Sequence, residues 1–275
     1  EHGVSDAVKS LSCEGALDAA KAIMTTDTYP KMAACELDIG GVSVRIGGIA
    51  KGAGMIRPDL ATMFCFITTD AVISADALKD CLQDAVEVSF NSLTVDGDTS
   101  TNDTVIALAN GIAGNRDISS DDEYMQAFST GLKSVCIELA KSMARDGEGA
   151  TKLVEVVVRG AKRYADAKAA AMTVANSLLV KTAVFGEDPN WGRVLAAVGR
   201  AGVEVDPALV DLYFGDVKIV EDGQPLNVTD DAARAPMLAD ELTITVDLKI
   251  GGASSRVFTC DLSYDYVKIN AEYHT

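Results

Sequence analysis

The chain has 275 residues, of which 48% are hydrophobic, enough to bury one large core or two ordinary ones. Its 41 acidic residues outnumber 24 basic residues and leave a formal charge of −17, and no basic patch interrupts the sequence. Because this charge repels phosphate backbones and anionic lipid headgroups, we expect no nucleic-acid partner and no membrane partner.

The cysteines and the start of the chain give an expectation for the cellular compartment of the protein. Six scattered cysteines show no metal-ligand spacing and are typical of small core residues in a reducing environment. No apolar run is long enough to cross a bilayer, and no basic-then-apolar leader precedes Glu1. We therefore expect a cytoplasmic protein. The first residue is not methionine, so the sequence is expected to be a fragment of a longer polypeptide.

Periodicity and turn residues predict the elements of the first half of the chain. In order, we expect a helix around Leu17–Met24, two strands within Met32–Ile49 around Gly40–Gly41, a loop over Gly47–Gly54, a short strand at Cys65–Ile67, a helix from Ser74 and a long helix over about Asp121–Arg145.

The second half has more β character, and two sheet regions with amphipathic helices predict an α/β fold of layered sheets covered by helices. Here we expect a strand at Leu153–Val158, an Ala-rich helix over Lys162–Leu179, and strands near Val210–Phe214, Leu242–Ile250, Arg256–Cys260 and Tyr266–Ile269.

One threonine stands at a junction suited to chemistry. The Ala61-Thr62 bond leads from a Gly-rich stretch into an apolar run, and cutting it would turn the α-amine of Thr62 into a general base for its own hydroxyl. The only histidines, His2 and His274, lie at the extremities, so an interior Ser-His-Asp or Cys-His arrangement is absent unless a terminus folds back. A β-branched residue entering a strand is the equally simple alternative for Thr62.

The acidic stretch after Thr94 suggests a second class of function. Asp96, Asp98 and Asp103 alternate with polar residues as in a calcium loop, but Thr101 stands where an EF-hand needs glycine and Ala107 where it needs glutamate. A polar turn is the favoured interpretation. An acidic cation-binding module, which would leave the Ala61-Thr62 bond intact, remains the alternative.

Six motifs follow one another along the chain: Ala19–Thr28, Lys51–Asp70, Val95–Thr104, Asp146–Lys152, Asp188–Arg193 and Tyr266–Thr275. In this order they resemble one known family, the ornithine acetyltransferases (glutamate N-acetyltransferases) of arginine biosynthesis. The resemblance runs from Ala19 to the last residue.

The resemblance implies a layered αββα sandwich of the self-processing, N-terminal-nucleophile-like type. It implies a precursor that cleaves itself between Ala61 and Thr62, so that residues 1–61 end an α chain and residues 62–275 form a β chain within one intertwined fold. The two products are expected to stay associated and to form a heterotetramer.

The implied reaction carries an acetyl group from N2-acetyl-L-ornithine to L-glutamate through an acetylated Thr62. No metal or redox cofactor is expected, because acyl transfer needs only a nucleophile, a base and oxyanion stabilisation. Acetyl-CoA as an additional co-substrate stays open. So does a self-processing aminopeptidase or amidase of the same fold, which would release its acyl group to water.

The resemblance also assigns substrate-binding residues, and it implies that this sequence lacks one segment of the family's chain. In this view Lys51 faces a carboxylate and Glu148 meets the cationic end of ornithine. The Thr-Gly pair associated with the family's oxyanion hole is expected in a segment upstream of Glu1. The residues that resemble the family's substrate-binding set are Thr25, Lys51, Thr62, Glu148, Asn270 and Thr275.

Overall fold

The computed structural model describes residues 2–57, 63–99, 102–120 and 122–272. Within these ranges the α-helices are α1 His2–Lys9, α2 Ala16–Ala22, α3 Ala75–Val88, α4 Asp122–Arg145, α5 Tyr164–Ala175, α6 Leu178–Phe185, α7 Trp191–Gly199, α8 Asp230–Arg234 and α9 Tyr264–Glu272. The strands are β1 Lys31–Ile39, β2 Val42–Lys51, β3 Phe64–Thr69, β4 Thr104–Ala109, β5 Leu153–Ala161, β6 Asp211–Phe214, β7 Val217–Glu221, β8 Gln224–Pro225, β9 Glu241–Asp247 and β10 Ala253–Cys260.

The first sheet has the order β1-β2-β3-β4. Gly40 and Gly41, both at positive φ, make the predicted turn between β1 and β2. Strand β3 then pairs antiparallel with β2 and parallel with β4, and α3 begins after the predicted cap Ser74, whose hydroxyl accepts the Ala77 backbone N–H. The inward residues of this sheet form one core with α3 and α4.

The expected loop over Gly47–Gly54 is wrong in its first half, because β2 continues to Lys51. Gly48 lies under α4, where an added Cβ would be 2.9 Å from Leu139 Cδ1. The glycine therefore serves close helix-on-sheet packing inside a strand. Only the residues after Lys51 leave the sheet.

The second sheet has the order β10-β5-β9-β6-β7-β8. Alternate residues of β5, including Val154, Val156 and Val158, are buried against the alanine-rich face of α5 and form a second core. The expected helix over Lys162–Leu179 is instead α5 and α6, which are separated at Asn176 and Ser177.

The chain's last predicted strand is wrong. Tyr266–Ile269 lies within helix α9, which starts directly after Ser263, whose hydroxyl accepts the Asp265 backbone N–H. The β-branched and aromatic residues favour a strand, but the hydroxyl at the helix start decides the local structure. Strands β4 and β7 and helix α7 are further elements that sequence reasoning missed.

The expected α/β class, with two sheets and surrounding helices, is confirmed. Helix α4 lies against β1 and β2 and also reaches β10, so it joins the two sheets. Across the parts of the chain described, no helix combines the length and apolar character needed to span a membrane.

Candidate active site

The end of β2 carries a nearly buried lysine. Lys51 is 4% exposed, its Nζ lies 3.4 Å from Thr25 Oγ1, and it stacks 5.3 Å from the ring centroid of Phe64. No salt bridge joins Lys51 to another described residue. The Asp103 carboxylate interacts with this ammonium electrostatically but without a salt bridge. A hydroxyl and an aromatic face compensate an ammonium poorly, so the site has room for a further negative charge from a ligand.

A carboxylate and an amide meet beside Ala53 and Gly54 of the same segment. Asn270 of α9 donates from Nδ2 to Glu148 Oε2 at 2.9 Å, and the Glu148 backbone N–H donates to Ala53 O at 2.8 Å. The Glu148 carboxylate lies over Gly54, where an added Cβ would be 2.5 Å from Glu148 Cδ. Gly54 therefore makes the space that this carboxylate occupies.

A buried ion network fixes both the Thr25 loop and the end of β2. Lys31 Nζ lies 2.6 Å from Asp27 Oδ1 and 2.5 Å from Asp146 Oδ2. Asp27 also accepts the backbone N–H groups of Gly52 at 2.7 Å and Thr25 at 3.1 Å. Burial alone would raise the pKa of Asp27, but the Lys31 ammonium and the two backbone donors outweigh it and lower that pKa.

Sequence reasoning missed this network, although Lys31 gave a signal. A lysine that opens an apolar strand, with an aspartate four residues earlier, is a candidate for a buried ion pair. The third member, Asp146, comes from the end of α4 and has no local sequence link to the other two. Its carboxylate also accepts the Thr28 backbone N–H at 2.9 Å. With the Gly52 contact of Asp27, three segments distant in sequence meet here.

The structure brings the expected substrate residues into two pairs. Thr25 meets Lys51, and Glu148 meets Asn270. Both pairs border residues 51–54, just before the junction of interest. Three further expected residues lie outside the described ranges, namely Ala61, Thr62 and Thr275.

The acidic loop of the cation-binding alternative is engaged with the backbone. Asp96 accepts the N–H groups of Met55 and Ile56, and Asp103 accepts that of Met63. In the ranges that the structure covers, no three His, Cys, Asp or Glu side chains are grouped so that they could hold a metal ion. These contacts favour a structural role for the loop.

Comparison with known proteins gives the family. The model of the ArgJ family matches residues 1–275. The arginine biosynthesis bifunctional protein ArgJ of Symbiobacterium thermophilum is 53% identical over 273 residues, which are 99% of this chain and 68% of that protein. The glutamate N-acetyltransferase of Methanocaldococcus jannaschii is also 53% identical, over 98% of this chain and 69% of its own length.

A solved structure agrees with this match. The crystal structure of the ArgJ protein of Bacillus halodurans superimposes with a TM-score of 0.73 at 42% identity. The superposition includes 76% of this chain and 98% of the crystallised chain. Sequence and fold therefore agree that this chain belongs to the ArgJ family.

Proposed function

We propose that the protein is a glutamate N-acetyltransferase that carries acetyl from N2-acetyl-L-ornithine to L-glutamate through an acetyl ester on Thr62. The observation that carries the proposal is the pairing of Lys51 with Thr25 and of Glu148 with Asn270 along residues 51–54. A buried cation and a carboxylate suit substrates that carry both a carboxylate and an amine. The name of one relative, glutamate N-acetyltransferase, points to glutamate as the acetyl acceptor.

Thr62 first has to be released as a chain start. Its hydroxyl attacks the Ala61 carbonyl, the peptide nitrogen leaves with a proton as the new α-amine, and water hydrolyses the resulting ester. The α-amine, with a reference pKa of about 7.7 to 8.0, is then partly neutral at working pH and can take the hydroxyl proton. Amine and hydroxyl of one residue need no further assembly.

Transfer then proceeds in two displacements. Thr62 Oγ attacks the acetyl carbonyl of N2-acetylornithine, and ornithine leaves with its α-amine protonated. The α-amine of glutamate attacks the acetyl ester, and Thr62 recovers its hydroxyl proton. Lys51 is proposed to bind a substrate carboxylate and Glu148 the cationic end of ornithine. Asn270, Thr25 and Thr275 are proposed to supply the remaining hydrogen bonds.

The length of the matched crystal chain supports the cleavage. Seventy-six per cent of 275 residues is about 209, and if these are 98% of the crystallised chain, that chain has about 213 residues. A fragment from Thr62 to Thr275 would have 214 residues. The two lengths agree within the rounding of the percentages.

The fold supports continued association of the two products, residues 1–61 and 62–275. Strand β2 precedes the junction and β3 follows it, yet six residue pairs join them in one sheet, from Ile46–Thr69 to Lys51–Phe64. Helix α4 also packs on β1 and β2. We propose a heterotetramer of two such pairs, which native mass spectrometry would test.

The proposed compartment is the cytoplasm. All six cysteines are free, and Cys65, Cys81, Cys136 and Cys260 are buried. Burial raises the pKa of each of these four thiols, which makes them poor nucleophiles.

Intact mass under denaturing conditions tests the nucleophile. The natural polypeptide should contain a fragment that starts at Thr62, whereas Thr62→Ala should stay a single chain and transfer no acetyl group. The control Thr68→Ala, in β3, should be cut and active. Persistence of the Ala61-Thr62 bond in an active wild-type enzyme would contradict the proposal.

Isotope-labelled N2-acetylornithine separates the alternatives. With glutamate present, label should appear in N-acetylglutamate, and predominant release as free acetate would instead identify an aminopeptidase or amidase. Labelled acetyl-CoA in the same assay tests the second donor.

A further inference from the structure

The loop that follows Thr94 holds the chain on both sides of the proposed cleavage junction. On the upstream side, Asp96 Oδ2 accepts the Met55 backbone N–H at 2.7 Å and Asp96 Oδ1 accepts the Ile56 N–H at 3.1 Å. The Val95 N–H donates to Ile56 O at 2.8 Å. Three hydrogen bonds thus fix residues 55 and 56 to this loop.

On the downstream side, a second carboxylate, that of Asp103, binds the backbone in the same way. Asp103 Oδ1 accepts the Met63 backbone N–H at 2.8 Å, and the Thr104 N–H donates to Met63 O at 3.1 Å. Thr104 then pairs with Phe64 as β3 and β4 begin. Both polar groups of the residue that follows Thr62 are therefore held.

Four donors surround the Asp96 carboxylate, two at each oxygen, so the loss of either oxygen as an acceptor would leave donors without a partner. Besides Met55 and Ile56, the Asp98 N–H donates to Oδ1 at 3.2 Å and the Tyr266 hydroxyl approaches Oδ2 at 3.4 Å. Burial and the nearby Asp96 charge raise the pKa of Tyr266, so its hydroxyl keeps its proton. At Asp103, by contrast, one oxygen accepts one described donor.

Tyr266 also connects the loop to the substrate residues. It belongs to α9, and four residues later the same helix places Asn270 against Glu148. The backbone of residues 55–56 and the side chains proposed to bind substrate therefore share one support.

We infer that Asp96 and Asp103 are positioning residues for scission of the Ala61-Thr62 bond, because they fix the backbone at Ile56 before the junction and at Met63 after it. The inference rests on the proposed function. The N-to-O shift needs the Thr62 hydroxyl close to the preceding carbonyl, and fixed ends reduce the conformations that a segment between them must search. On this inference the acceptor geometry of each aspartate governs the rate of scission rather than its charge, although the Asp103 carboxylate also interacts electrostatically with Lys51.

The rate of scission tests this inference in the full natural polypeptide that contains these residues. Fresh precursor is sampled over time, and the fragment beginning at Thr62 is quantified by intact mass. Asp96→Ala and Asp103→Ala should each slow scission between roughly tenfold and a hundredfold. Asp98→Ala is the matched control, because Asp98 lies exposed in the same loop, and it should cut at the wild-type rate.

Conservative variants distinguish positioning from general stability. Asp103→Asn keeps an oxygen acceptor for Met63 and should cut at close to the wild-type rate. Asp96→Asn should be as slow as Asp96→Ala, because one amide oxygen cannot serve donors at both carboxylate positions. Hydrogen exchange in a Thr62→Ala background should show faster exchange at Met55 and Ile56 in Asp96→Ala and at Met63 in Asp103→Ala.

Each outcome decides one question. A cut wild type with both alanine variants cut equally fast overturns the inference and leaves the proposed function standing. Asp103→Asn as slow as Asp103→Ala also overturns it, since charge and not acceptor geometry would then matter. A wild type that never cuts but transfers acetyl overturns the proposed nucleophile itself.

Discussion

Two lysines near the candidate site are almost fully buried, and their surroundings differ. Lys31 has carboxylates of Asp27 and Asp146 within 2.6 Å of its Nζ. Lys51 has the Thr25 hydroxyl and the Phe64 ring. Lys31, which two carboxylates compensate at short range, serves the fold. Lys51 forms no described salt bridge and interacts with the Asp103 charge only over a longer distance, and we propose that it binds a ligand.

Methionine substitutions should separate these roles. Lys31→Met leaves two buried carboxylates without their cation and should lower the free energy of unfolding by about 3 to 5 kcal/mol. Lys51→Met should leave the free energy of unfolding unchanged or raise it by about 1 kcal/mol, because no described salt bridge is lost. Its KM for glutamate should rise roughly tenfold or more. Urea denaturation and steady-state kinetics measure both, and equal destabilisation by the two variants would refute the contrast.

The space over Gly54 allows a test of Glu148 without changing the carboxylate. Gly54→Ala would place a Cβ 2.5 Å from Glu148 Cδ and force that side chain to move. It should therefore raise the KM for N2-acetylornithine in the same direction as Glu148→Gln.

The matched control for that test is Gly47→Ala, since a Cβ at Gly47 meets nothing within 4 Å. It should leave the KM unchanged. If Glu148→Ala consumed N2-acetylornithine at the wild-type rate, the substrate role of Glu148 would be abandoned.

At the scale of elements, an ion cluster joins the far strands of the second sheet. Asp211 of β6 is 3% exposed and accepts Lys249 Nζ at 2.5 Å, Lys218 Nζ at 3.1 Å and the Asp222 N–H at 3.0 Å. Burial would raise the pKa of Asp211, but these donors prevail and hold it at about 2. The carboxylate therefore ties β6 to β7 and to the chain beyond β9.

This cluster should give a defined pH dependence of stability. The folded-state pKa is below the unfolded value of about 3.9, so the stabilisation is complete above about pH 4 and is lost as the pH falls through about 2. Asp211→Asn should be about 2 kcal/mol less stable than wild type at neutral pH. The difference should shrink towards pH 2 in urea titrations, while Asp98→Asn should track wild type throughout. A difference that is constant with pH would contradict this origin.

The elements also show how far sequence patterns reach. The β1–β2 turn, the start of α3 at Ser74 and the end of α4 at Arg145 follow from local residues and were predicted. The expected loop at Gly48 is wrong because this glycine is needed for the close packing of α4 on the strand, and α4 lies far along the chain. Of the candidate site, the motif residues were predicted from a family resemblance. The Lys31 network and the backbone contacts of Asp96 and Asp103 depend on tertiary proximity that no local pattern encodes.

At the scale of the whole molecule, two hydrophobic cores are connected by α4, which packs against strands of both sheets, and by the bridge between Leu93 and Phe258. The first core is formed by β1–β4, α3 and α4 and also includes Leu153, Phe258 and Cys260 of the second sheet. The second core is formed by that second sheet with α5, α6 and α7. The site residues gather near the first core, at the end of β2 and the start of α9. A site supported by a core and by several elements suits acyl transfer, which depends on fixed geometry.

The pairing of β2 with β3 has a consequence for handling the protein. A cut between these strands removes one covalent link and none of the six residue pairings that hold them side by side. The particle would keep its shape and gain only a single water molecule in mass. Gel filtration, native gels and light scattering would consequently treat intact and processed material as one species, and a sample that is homogeneous by those methods can be a mixture of the two.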